Sequence, residues 1–176
     1  MGKRTWLRKL TQPISSLILL VVLSGCGAVA HKINLLPDYS PVSGTTFEVG
    51  KVTNDTSQAF EVNIEQLLTD ALTNKLRSNN MLWTDGQPHK VVLACKIVEY
   101  DEGNAFKRWL LPGWGATVLS IQCDMKKGGQ LVGSNDARRT VSAGGGYTIG
   151  AWRTIFENLA EDVVEDLRSK IPQGSI

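Results

Sequence analysis

Few side chains in this sequence are placed to do chemistry. The chain has 176 residues, with three cysteines and two histidines. A metal site needs several convergent thiolates, imidazoles or carboxylates, and neither an H-E-x-x-H pair nor a Cys-Cys-His cluster accompanies His31 and His89, so no metal ligand set is expected. No G-x-S-x-G elbow presents a serine nucleophile. A cysteine nucleophile needs a nearby histidine and an exposed site that lowers its pKa, whereas Cys95 and Cys123 lie in apolar, strand-like runs. In GGGYTIGAW, residues 144–152, Gly145 and Gly150 have the spacing of a phosphate-binding loop, but Ala151 stands where that loop requires lysine. The stretch reads as a connection whose glycines let the chain turn. Glu157, Glu161, Asp162, Glu165 and Asp166 could imitate a general acid and base, but their helical spacing makes them a solvated face. Arg138 and Arg139 suit either a phosphate or carboxylate on a partner, or the protection of an exposed strand. No enzymatic activity and no cofactor are expected.

The third cysteine has a different context. Lys3, Arg4, Arg8 and Lys9 form a basic start, and residues 14–23 (ISSLILLVVL) an apolar run of 10 residues. That run is short for a membrane span and right for a secretory signal. Residues 23–26, LSGC, have the form of a bacterial lipobox: Leu23, two small residues, then Cys26. The motif implies cleavage before Cys26 and acylation of its sulfur and new amino group. Two or more acyl chains anchor a protein stably. Gly27 follows the cysteine, which by the sorting rule for enterobacterial lipoproteins directs the protein to the outer membrane, facing the periplasm. The signal carries four of the 19 basic residues, so processing leaves 15 basic against 17 acidic, a net charge of −2. No basic footprint for nucleic acid survives.

The remaining residues suit one domain. Residues 1–25 are the signal, 26–44 a lipidated tether with two prolines, 45–172 the domain and 173–176 a tail. TTFEVGKV (45–52) reads as a strand. Phe60, Ile64, Leu67, Leu68, Ala71, Leu72 and Leu76 recur with helical period. KVVLACKIVEY (90–100) and ATVLSIQCDM (116–125) are strands, Lys127-Gly128-Gly129 a hairpin turn, and a further strand follows from Gln130. Trp152, Ile155, Phe156, Leu159, Val163, Leu167 and Ile171 form the stripe of a second helix, stopped by Pro172. This β-α-β-β-β-α order predicts an α+β, two-layer sandwich: a mostly antiparallel sheet with two amphipathic helices on one face.

If residues 90–100 and 116–125 form a hairpin centred near 108, Cys95 falls opposite Cys123. The periplasm permits a disulfide there; the alternative is two buried thiols, since free cysteine packs as a small apolar residue. The hairpin's connection, KRWLLPGWGATV (107–118), is unusually apolar. Lys107, Arg108, Trp109, Leu110, Leu111 and Trp114 are candidates for contact with a membrane or partner, tryptophan suiting a boundary with its apolar ring and single N–H. The alternative is that Trp109 and Trp114 fold back and close the core.

These features resemble those of small bacterial envelope lipoproteins of an uncharacterised family. The resemblance is carried by FEVGKVTN (47–54), VVLACKIVEY (91–100), the hairpin residues Arg108, GWGAT (113–117), Asp124, Gly128 and Gly129, the Gly-rich strand and the closing helix. It extends to the curli-secretion lipoproteins, the penicillin-binding-protein activators and the N-terminal domain of the Tol-system β-propeller protein. It implies a membrane-anchored, non-catalytic binding or assembly accessory with an envelope protein as partner. The lipopolysaccharide-assembly lipoprotein shares the element order and implies an alternative, binding of a lipid or glycolipid.

Overall fold

The computed structural model describes residues 29–111, 113–142 and 149–172. The chain runs β1 (Val29–Leu35), β2 (Thr46–Asn54), α1 (Ile64–Ser78), β3 (Lys90–Asp101), α2 (Ala105–Leu110), β4 (Thr117–Lys127), β5 (Gln130–Val141) and α3 (Ala151–Lys170). The five strands form one open sheet in the order β1-β5-β4-β3-β2. Among the five described strands only β2 and β3 pair in parallel, and α1 is the crossover such a connection requires. The expected α+β sandwich is what forms, with one strand and one short helix more than the sequence indicated.

The layers follow from two periodicities. Along β3 and β4, alternate residues point inward: Val91, Leu93, Cys95 and Ile97, then Leu119, Ile121, Cys123 and Met125, all buried. Against them α1 buries Ile64, Leu68, Ala71, Leu72 and Leu76, and α3 buries a longer stripe that includes Ile155, Phe156, Leu159, Val163 and Leu167. Each large apolar side chain so buried contributes roughly 1.5–3 kcal/mol relative to exposure. The helix predicted from Phe60 begins four residues later, because the Asn63 side chain accepts the Gln66 N–H at 2.8 Å and caps it. Phe60 instead packs edge-on to Tyr100, ring centres 5.0 Å apart.

The segment read as a tether is the main departure. Residues 29–35 form an edge strand, paired antiparallel with β5 from Val29↔Arg139 to Leu35↔Gly133. The physical reason is that β5 would otherwise present a row of unpaired backbone groups. VAHKINL also alternates, with Val29, His31, Ile33 and Leu35 on the helix side in register with Arg139, Ala137, Asn135 and Gly133. The pattern was present but masked by a histidine among its inward residues.

The register places Cys95 opposite Cys123, and the two are joined in a disulfide buried under the helices. The bond closes a loop with a sequence separation of 28 residues between the two central strands. Replacing both cysteines by alanine is expected to preserve the fold but lower unfolding stability by about 2–4 kcal/mol. Denaturant titration of the double variant measures this; an unchanged midpoint would show that the link adds nothing to the packed sheet.

Candidate functional site

Most polar groups singled out in the sequence are engaged within the protein. His31 Nδ1 lies 2.6 Å from Asp166 Oδ1, and buried Asn135 donates to the other Asp166 oxygen at 3.2 Å. Arg139 Nη1 binds Asp162 at 2.7 and 2.8 Å. Arg138 forms two hydrogen bonds to Glu99 across the open sheet face, both 3.0 Å, and Ser120 adds a third at 2.9 Å. Both arginines are therefore occupied by internal carboxylates. Among the described residues no three or more His, Cys, Asp or Glu side chains group as a metal site. Most of the glycine-rich stretch and the lipobox with Cys26 lie outside the described residues.

What remains is the connection from β3 to β4. Asn104 accepts the Lys107 N–H at 3.0 Å and starts α2; its own N–H bonds the Gly115 carbonyl at 2.8 Å, closing the connection on itself. Arg108 points inward, only 2% exposed. One guanidinium nitrogen donates to the Gly115 carbonyl and to Thr117 Oγ1, each at 2.8 Å. The Thr117 hydroxyl donates onward to the Glu102 carbonyl at 2.8 Å. Gly103 and Gly115 both have positive φ, and a Cβ on Gly103 would lie 2.6 Å from Ala116 backbone atoms and from Arg108 Nη1. Only glycine allows this closure.

The opposite side of α2 is apolar and outward. Phe106, Trp109 and Leu110 share one face by their i, i+3, i+4 spacing, and Phe106 and Trp109 are 67% and 64% exposed. Their ring centres are 5.9 Å apart. Leu111 and Trp114 extend the patch, with Lys107 Nζ 5.5 Å from the centre of the Trp114 ring. The helix is inside out, with Arg108 in the protein and its hydrophobes in solvent. Contiguous exposed apolar side chains of this kind mark an interaction surface. Of the six residues expected to make outside contact, Arg108 is the correction: its guanidinium is used to hold the connection closed, where its forked donors satisfy backbone and hydroxyl acceptors. Lys107, Trp109, Leu110, Leu111 and Trp114 are exposed. Trp109 and Trp114 do not close the core.

Residues 41–145 match the family model described as a domain of unknown function, DUF4410. That is more than half of the chain. The protein belongs to the DUF4410 family. The matched segment runs from just before β2 to just past β5 and so contains α2 and its apolar face, whereas β1 and α3 of this DUF4410 chain lie outside it. No curated protein matches the sequence. Among solved structures, the fold is similar to that of the PelC dodecamer from Paraburkholderia phytofirmans, with TM-score 0.54 and 13% identity over 83% of this chain and 100% of that one. A Leu-to-Met variant of the same protein aligns with TM-score 0.53 and 14% identity over the same shares. A DUF330 protein of Xanthomonas campestris aligns with TM-score 0.44 and 14% identity, over 78% of this chain and 88% of that one. At 13–14% identity the likeness to PelC is one of fold.

The inverted helix was detectable in retrospect. Asn104 ahead of AFKRWL is a capping signal, and Phe106, Trp109 and Leu110 are spaced as one helical face. Which face turns inward is not a local property.

Two expectations follow. Arg108→Ala should lower stability by about 1–3 kcal/mol through loss of charge-assisted hydrogen bonds, and should speed amide exchange across residues 103–117. Arg108→Lys should restore little, because an ammonium cannot reproduce the fork. Hydrogen exchange by mass spectrometry reads both. The second concerns acid. The hydrogen bond from Arg138 holds the Glu99 carboxyl below its ordinary range. A folded-state pKa below the unfolded one means that the unfolded chain binds more protons, so this contribution is present at neutral pH and is lost as pH falls through the acid range. The pair is half exposed, so screening limits the effect to under about 1 kcal/mol. Glu99→Gln should flatten that part of the stability–pH curve, measured by urea titration between neutral and acid pH.

Proposed function

We propose that this DUF4410 protein is an outer-membrane lipoprotein, anchored through Cys26 and facing the periplasm, that acts as a non-catalytic binding or assembly accessory for an envelope protein. The observation that carries this reading is the junction of anchor and fold: LSGC at residues 23–26 is followed three residues later by β1, the edge strand of the sheet. Among the described residues no helix is long and apolar enough to cross a membrane, and an acylated Cys26 supplies attachment without one. The non-catalytic part is supported by the pairing of the reactive groups. Cys95 and Cys123 are joined, His31 meets Asp166, and Arg138 and Arg139 meet carboxylates.

The face of the sheet away from the helices is the surface such an accessory would offer a protein. Ala30, Lys32, Val98, Gln122, Asp136 and Arg138 surround a shallow depression of about 350 Å³ there. It mixes short apolar and charged side chains, the composition of a non-obligate interface.

Labelling cells with radioactive palmitate tests the anchor: wild type should incorporate label and Cys26→Ser should not. A photocrosslinking residue at Gln122 tests the accessory role, with one discrete envelope-protein adduct expected. Label without any adduct from positions across the open face would leave the anchor standing and overturn the binding role. A lipid retained in native mass spectra of the folded domain would favour amphiphile binding instead.

A further inference from the structure

We infer that the apolar face of α2 enters the lipid bilayer and, with the acylated cysteine, fixes the orientation of the domain on the membrane. The inference rests on the anchor reading above and adds a second point of attachment to it.

The first ground is distance. A tether running from 27 to 44 would reach roughly 60 Å and leave the domain free to tumble. Because β1 begins at Val29, only Gly27 and Ala28 separate Cys26 from the sheet, three Cα–Cα steps with a reach of no more than about 11 Å. The end of the sheet where β1 starts must therefore lie against the headgroups.

The second ground is register. Val29 pairs with Arg139, Arg139 with Leu119 and Leu119 with Tyr100. The start of β1 and the end of β3, from which α2 projects, are thus at the same end of the sheet, about 14 Å apart across three strand spacings. The Gly113 N–H bonds the Ser142 carbonyl at 2.6 Å and ties the tip to the end of β5. Exposed Ile149 precedes α3, whose first turn reaches this end because the Tyr100 hydroxyl bonds the Trp152 carbonyl at 2.9 Å.

The third ground is chemistry. Phe106, Trp109, Leu110, Leu111 and Trp114 combine aromatic rings that suit the headgroup level with leucines that suit the acyl boundary. Lys107, beside Trp114, is placed for lipid phosphate. The burial of Arg108 beneath the apolar face removes the one other charge on α2 from that surface. A helix with Arg108 inward, its hydrophobes outward and Lys107 beside them is arranged for a lipid surface as its outer medium.

Trp83 supplies an internal control. It is bonded to Phe47 in β2, at the end where β2 and β3 begin, Thr46 opposite Lys90. The 12 residues of β3 put it roughly 35–40 Å from the tip. The processed protein, purified from membranes in detergent, is reconstituted into vesicles of phosphatidylethanolamine and phosphatidylglycerol with brominated acyl chains. Flotation and tryptophan quenching are then read together. Wild type should float and be quenched. Trp109→Phe/Trp114→Phe should float and lose more than about half of that quenching, since the bromines reach only residues at the acyl boundary. Trp83→Phe should leave the quenching unchanged. Protein that floats without quenching, or whose quenching survives the double substitution, overturns the inference and leaves the anchor intact. Protein that does not float overturns both. A photocrosslinker at position 109 that captures a protein in place of lipid also overturns it.

Discussion

Cys95 and Cys123 lie opposite each other on the two central strands, and their covalent link allows β3 and β4 only one register. A slip of one residue would turn every inward side chain of a strand to the opposite face. Leu93, Ile97, Ile121 and Met125 would then leave the helices, and Lys96, Gln122 and Asp124 would enter the core. Both long helices pack on surfaces that exist only in this register. It also sets where β3 ends and β4 begins, and so the length of the connection that must fold between them.

That connection combines two opposed demands. The backbone of residues 103–117 needs partners for its carbonyls near the core, and a guanidinium is well suited to supply several donors from one side chain. Arg108 takes the inward position on α2 for that purpose, and the helical geometry sends Phe106, Trp109 and Leu110 to the other side. The apolar patch is therefore presented by a capped helix held by glycine-permitted contacts. A rigid element shows a surface at a defined angle, which is what the proposed second membrane contact beside the proposed lipid anchor requires. The short reach between Cys26 and β1 supplies the proximity.

The DUF4410 segment contains this central register and the tip, but not all of the core. It stops before α3, whose eight buried residues cover much of the inner face, and holds no described strand that would pair the free edge of β5. In this chain β1 provides that pairing. The same two-layer arrangement in PelC at 13% identity reflects how loosely a sandwich constrains its residues. Alternation on strands and a stripe on helices are sufficient, and many side chains satisfy both.

The sequence by itself determined whatever depends on neighbours a few residues away. Helical spacing up to Leu76 and onward from Ala151, alternation along β3 and β4, the turn at Gly128 and Gly129 and the lipobox-like LSGC are all local patterns, read directly from side-chain type and order. The opposition of Cys95 and Cys123 follows because a hairpin converts local spacing into register. Tertiary structure alone decided that VAHKINL joins the sheet, since its partner β5 lies about a hundred residues away and a strand's pairing depends on an available edge. It decided equally that Arg108 turns inward and Trp109 outward. An amphipathic pattern states that a helix has two faces; the acceptors at Gly115 and Thr117, brought close only when the hairpin closes, determine which face the protein keeps.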